Sequence, residues 1–278
     1  NNTPALQGRR NNRNPDLSRG DNRPTGSSQP ARSFAGVRME ESALFGYYFR
    51  EKLKNRDERL VVSPFFITFA LNFENRRMKL AILTQPAFFV EEDKILSALF
   101  EEGLDILHLH KPNSEPVYSE RLLSLLPNYC YDKIRVHEHY YLKNEYDLHG
   151  IHIDDPAEPV PEGFRRHITR STTQISDLKE MKKSCDYVFL HSLFDGLHDD
   201  TKATLSIQEM EMARDKGLID KHIYALGGMS LENIAYAKEL GFGGVCICGD
   251  LWNRFCIQHE MDFKALLEHF RKLRKAVG

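Results

Sequence analysis

Residues 223–250 read IYALGGMSLENIAYAKELGFGGVCICGD: a strand, a glycine turn, a helix, a glycine-rich break, a strand and a closing Gly-Asp turn. Ile223–Leu226 is a short apolar run that stops at Gly227-Gly228. Ser230 falls where a helix N-cap is expected, and Leu231, Ile234, Ala235 and Ala237 form a helical stripe behind it. Gly241, Gly243 and Gly244 end that helix and open the next strand, Val245–Cys248, which Gly249 closes. Two glycine turns, Gly227-Gly228 and Cys248-Gly249, thus follow successive strands and can bring bare backbone N–H groups up to an anion. Either turn alone needs no more explanation than a tight reversal. Two in register near the end of a βα series fit the loops after strands 7 and 8 of a (β/α)₈ barrel, a common phosphate site.

Working outward, the same alternation runs back to Met78. Strands are expected at Leu80–Thr84, Ile106–His110, Ile134–His137, Gly150–Ile153, His167–Arg170 and Tyr187–His191, ahead of the two already named. Helices are expected near Glu91–Gly103, Ser114–Leu126, Ile175–Ser184, Ser206–Lys216 and Asp262–Ala276. Eight strands with helical returns indicate an α/β TIM barrel over residues 78–278, with an open doubly wound sheet as the alternative. That segment is about 200 residues, the lower end for eight βα units.

Residues 1–77 read differently. Asn1–Ala35 is rich in Asn, Arg, Pro, Gly and Ser and has few apolar residues to bury, so the extension is expected to be largely disordered. Ser42–Asn55 has the pattern of a short helix. Leu60–Phe73 is an apolar run broken at Ser63-Pro64, too short for a membrane span and too deep in the chain for a signal peptide. Over all 278 residues the net charge is −2, which gives no electrostatic argument for nucleic acid. Five cysteines, an odd number without C-x-x-C spacing, argue against a disulfide framework and for reduced thiols in the cytoplasm.

Histidine placement is the unusual feature. In Leu107-His108-Leu109-His110 the two-residue period of a strand puts both imidazoles on one face and both leucines on the other. Helices cover the outside of a barrel, so the leucines face out and the histidines face in. The same rule turns Arg135 and His137 inward on strand 3 and His152 on strand 4. Any one of these is a natural hydrogen-bonded filler, but five polar side chains on three adjacent strands point to a site at the C-terminal mouth. His-x-His with Glu138, Asp154 and Asp155 nearby also has metal-ligand spacing, which keeps a metallohydrolase in view.

From Met78 on, the chain resembles the thiamine-phosphate synthase/TenI-like family of TIM barrels. The matching segments are LHLHK (107–111), HEH (137–139), GIHI (150–153), Ser171-Thr172, DYVFL (186–190), ALGGM (225–229) with Asn233, and Gly241–Val245. The resemblance implies a transferase that joins an aminopyrimidine diphosphate to a thiazole phosphate, releasing pyrophosphate with Mg²⁺. A related activity is a thiazole tautomerase, and a non-catalytic precursor-binding protein is a third reading. It further implies small phosphorylated pyrimidine and thiazole partners, no nucleic acid or membrane partner, and leaves a homo-oligomer open. Carried over by position, His108, His110, Lys111 and His137 are candidate catalytic residues. Ser171, Thr172, Lys202, Gly227, Gly228, Cys248 and Gly249 are candidates for phosphate, and Glu138, Asp154 and Asp155 for Mg²⁺. Departures cluster at the pyrophosphate end. His108 and His110 replace the family's glutamine and arginine, and Lys111 is displaced by one from its lysine, with Pro112 in that place. His137-Glu138 replaces Asn-Asp, and Thr173 stands where the tautomerase has histidine.

Overall fold

Apolar stretches separated by helices close here into a parallel barrel. In a computed structural model that describes residues 77–197, 202–254 and 263–278, eight strands pair in sequence order, β1 with β8 completing the ring. They are β1 Lys79–Leu83, β2 Ile106–Leu109, β3 Ile134–Val136, β4 Gly150–Ile153, β5 Ile168–Thr172, β6 Tyr187–Leu190, β7 Ile223–Ala225 and β8 Gly244–Ile247. Helices α1 Glu92–Glu101, α2 Pro116–Leu125, α3 Leu142–Glu145, α4 Leu178–Met181, α5 Ile207–Asp215, α6 Ile234–Leu240, α7 Gly249–Trp252 and α8 Lys264–Val277 complete the alternation. The TIM-barrel expectation therefore holds. The expectations for residues 1–76, including the disordered extension and the short helix, lie outside the described residues. Among those described, no helix is long and apolar enough to cross a membrane.

Local chemistry accounts for the boundaries. Pro116 opens α2, where its missing N–H costs nothing. Ser206 caps α5 through a capping box, its hydroxyl taking the Glu209 N–H at 3.2 Å while Glu209 Oε2 takes the Ser206 N–H at 2.8 Å. The expected cap at Ser230 is corrected. The helix starts later, at Ile234, because Asn233 Oδ1 accepts the Ser230 N–H at 2.9 Å and folds residues 230–233 into a turn. Leu266, Phe270, Leu273 and Val277 recur on one face of α8 and are buried, so that face joins the core.

Two apolar clusters follow from the strand period. Leu107, Leu109, Ile134, Val136, Ile151 and Ile153 belong to the large cluster that includes the helices, as their alternation requires. The barrel lumen holds a smaller one of Ala81, Ile106, Tyr187, Phe189, Tyr224 and Cys246. Tyr187 and Tyr224 stack face to face, centroids 4.0 Å apart and planes 4° from parallel. Gly244, in register with Tyr224, makes room for this pair, since a Cβ there would lie 2.5 Å from two ring carbons of Tyr224. Gly244→Ala is therefore expected to destabilise the barrel by about 1–3 kcal/mol, the usual penalty of overpacking, in urea titration. An unchanged midpoint would show that the tyrosine stack can shift.

Candidate active site

The inward residues of β2–β6 fill the lumen with rings, and their hydrogen bonds fix a direction. Asp154, just past β4, offers only acceptors, and His137 Nδ1 lies 2.9 Å from its Oδ2. His137 therefore donates there. Its Nε2, 2.9 Å from His108 Nδ1, is left to accept, and His108 Nε2 in turn accepts the Tyr187 hydroxyl at 2.6 Å. One proton on each ring satisfies the whole chain Tyr187–His108–His137–Asp154. His152 stacks on His137 at 4.3 Å and is held by Thr169 and Ser171 hydroxyls, each at 2.8 Å.

Burial decides the charge of these rings. His108 and His152 have no exposure, and their pKa values are pushed well below the ordinary imidazole value, by burial first and then by neighbouring cations. Tyr187 is pushed up by the same burial. His110, at the mouth, behaves oppositely. Burial works against its charge, but Glu138 Oε1 lies 2.6 Å from its Nδ1 and outweighs burial, so its pKa rises. Glu138 and Asp154 are both held below the carboxylate norm, burial being outweighed in the first by His110 and in the second by His137. His191, just past β6, is lowered by burial. The mouth can thus present a protonated imidazole on His110 beside two ionised carboxylates.

The other candidates occupy different places. Lys111 has no exposure: its ammonium donates to Glu92 Oε1 at 2.6 Å and to the carbonyls of Gln85 and Ala87 at 2.9 and 3.1 Å. Phe88 lies 4.5 Å from the same ammonium. Ser171 is turned inward onto His152, whereas Thr172 faces outward and accepts the Gln174 N–H at 3.0 Å. Asp155 Oδ1 accepts the Ala157 N–H at 2.8 Å in its own turn. Lys202 is exposed and pairs with Asp195 at 3.1 Å. Arg135 points inward but reaches the opposite end of the barrel, to Asp186 at 3.2 Å.

At the glycine turns, Gly227 and Gly228 have φ of 92° and 62°, the left-handed region that favours glycine. A Cβ on Gly228 would lie 2.4 Å from Asp195 O, so the protein's own loop demands glycine there before any ligand does. The N–H groups of Gly227 and Gly228 meet no acceptor among the described residues. Asn233 Nδ2 holds the Gly228 carbonyl at 2.9 Å, and the Leu231 N–H is held at 3.0 Å by Asp250, which His269 grips at 2.8 Å. Cys248 follows β8 directly, and Gly249 after it opens α7.

Sequence reading missed Tyr187, Phe189 and His191. The period-2 rule applied to YVFL puts Tyr187 and Phe189 inside, but a strand apolar at every position offers no contrast to show which face is which.

No protein-family profile matches the chain, and neither does any curated protein. Solved structures do. The thiamine phosphate pyrophosphorylase from Bacteroides thetaiotaomicron is 42% identical, with 72% of this chain and 97% of that one covered and a TM-score of 0.66. The one from Pyrococcus furiosus is 17% identical at TM-score 0.55, covering 74% and 98%. A tryptophan synthase α subunit from Legionella pneumophila, 15% identical at TM-score 0.52 over 75% and 95%, shares the fold alone.

Proposed function

As this chain belongs to the thiamine phosphate pyrophosphorylase family, we propose that it is a transferase of thiamine biosynthesis that joins an aminopyrimidine diphosphate to a thiazole phosphate and releases pyrophosphate. The observation that carries the reading is the arrangement at one end of the barrel. The N–H groups of Gly227 and Gly228, which meet no acceptor among the described residues, suit the thiazole phosphate, and Glu138, His110, His137 and Asp154 occupy the loops after β2–β4. The catalytic unit would be Met78–Gly278, its small-molecule partners the two phosphorylated precursors.

Glu138 and Asp154 fit Mg²⁺, an ion commonly held by one or two carboxylates with substrate phosphates and water supplying the rest. Bound with the diphosphate, the ion would neutralise charge on the departing pyrophosphate. The remaining work falls to the chain. His110, whose charged form is favoured by Glu138 beside Nδ1, has Nε2 left to donate to a leaving-group oxygen when protonated. The Tyr187–His108–His137–Asp154 chain holds the His137 ring in one tautomer, so the floor of the site is rigid. The fully buried rings of His108, His152 and Phe189 exclude water beneath the substrate.

With both phosphorylated precursors and Mg²⁺, the purified protein is expected to form pyrophosphate and thiamine phosphate in equal amounts. His110→Gln should lower turnover roughly 100-fold, the low end of what a positioned acid contributes. Absence of pyrophosphate with the wild-type protein would refute the synthase reading. Conversion of the thiazole phosphate without the pyrimidine would instead establish a tautomerase, which the same protonated imidazole could serve.

A further inference from the structure

A second cluster of metal-ligating side chains lies at the other end of the barrel. His149, His167 and Asp186 are the residues immediately before β4, β5 and β6, so three adjacent strand starts deliver them to the N-terminal face, remote from the candidate active site. One potential ligand atom from each lies within 4.8 Å of the other two. Asp186 Oδ2 is 3.6 Å from His149 Nε2 and 3.5 Å from His167 Nδ1. Two ligands of a tetrahedral ion with bonds of ~2.0 Å stand about 3.3 Å apart, so the two separations from Asp186 are already close to that spacing. The rings meet edge to face at 4.8 Å, which lets their nitrogens converge rather than stack.

We propose that His149, His167 and Asp186 bind a divalent transition-metal ion of the Zn²⁺ type, which clamps the starts of β4, β5 and β6. Two features support a built site over an incidental ion pair. The first is backbone. His167 has a φ of 58°, in the left-handed region that a residue with a side chain adopts at a penalty, and that conformation brings its ring to Asp186. The second is accessibility. His149, His167 and Asp186 are each about one-third to one-half exposed, so an ion can enter without unfolding the barrel. Arg135, 3.2 Å from Asp186 Oδ2, is a competing positive charge.

The test is calorimetric titration of the EDTA-treated full chain with ZnCl₂, alongside His149→Gln and His167→Asn. Asparagine tolerates the left-handed backbone and can still hydrogen-bond Asp186. Wild-type protein is expected to take up one Zn²⁺. Each variant should lose affinity by more than the roughly 10–100-fold that removal of an outer-shell partner produces. Anomalous scattering from zinc-soaked crystals should place the ion between the two rings. No uptake by the wild type, or uptake that both variants retain unchanged, would overturn the proposal; retained uptake would assign the ion to His110, His137 and Asp154 at the mouth.

Discussion

Lowering the pH from 6.5 to 5.0 is expected to remove about 3 kcal/mol of folding stability, through two histidines whose charging the folded barrel opposes. His108 and His152 are fully buried, and burial, with the cations near them, keeps both neutral there. In the unfolded chain each titrates near 6.5. Below that pH the unfolded state binds two protons that the folded state does not, and stability falls by about 2.7 kcal/mol per pH unit. The sign is opposite for His110, whose folded pKa is raised. Its contribution is fully present below about 6.5 and is lost only as pH rises through the folded value, so it does not flatten the acid limb. Glu138, Asp154 and Asp186 are depressed carboxylates, and their contributions are lost only below about 4.5. The window between about 6.5 and 5 therefore belongs to the buried imidazoles, with His191 adding to them. Urea titrations at both pH values measure the difference. His108→Gln combined with His152→Gln should abolish most of it, whatever the double variant's stability at pH 7. A double variant with the wild-type pH slope would show that other groups take up those protons.

Lys111→Met is expected to destabilise the barrel by about 3–5 kcal/mol, while Lys111→Met with Glu92→Leu should recover most of the loss. Lys111 and Glu92 are 0% and 2% exposed. Burial pushes the lysine pKa down and the glutamate pKa up, and in each the partner's charge opposes burial without cancelling it. Removing the ammonium leaves a buried carboxylate and the Gln85 and Ala87 carbonyls without their donor. Removing both charges leaves a cavity of apolar shape beside Phe88 and Phe89, which methionine and leucine can fill. A double variant as unstable as the single one would mean that the carbonyl contacts, rather than the ion pair, matter most.

Lys111 also shows where sequence reading stops. The two-residue period located His108 and His152 because each sits within a strand between aliphatic neighbours, and His137 because it continues β3 by one residue. β2 ends at Leu109, and the Thr84 hydroxyl takes the His110 N–H at 3.0 Å. Past that point the period no longer governs, and the lysine turns under the β1–α1 loop toward Glu92. Its partner lies 19 residues earlier on a helix, so no local pattern announces the pair. Arg135 points inward as its strand requires, but the length of its side chain decides which end of the lumen it reaches, and spacing says nothing about length. Barrel, strand order and the imidazole cluster were legible; the partners of the long charged side chains were not.

The one-way hydrogen-bond chain from Tyr187 to Asp154 constrains how this lineage can change. Each ring's proton is placed by the group ahead of it, so exchanging Asp154 for a donor would reverse the tautomer asked of His137, then that of His108, and finally oppose the tyrosine hydroxyl. No intermediate step in such a series is neutral. Descendants should therefore inherit these four positions as a block or replace them together, and a homologue with one altered member should carry a compensating change at the next position along the chain.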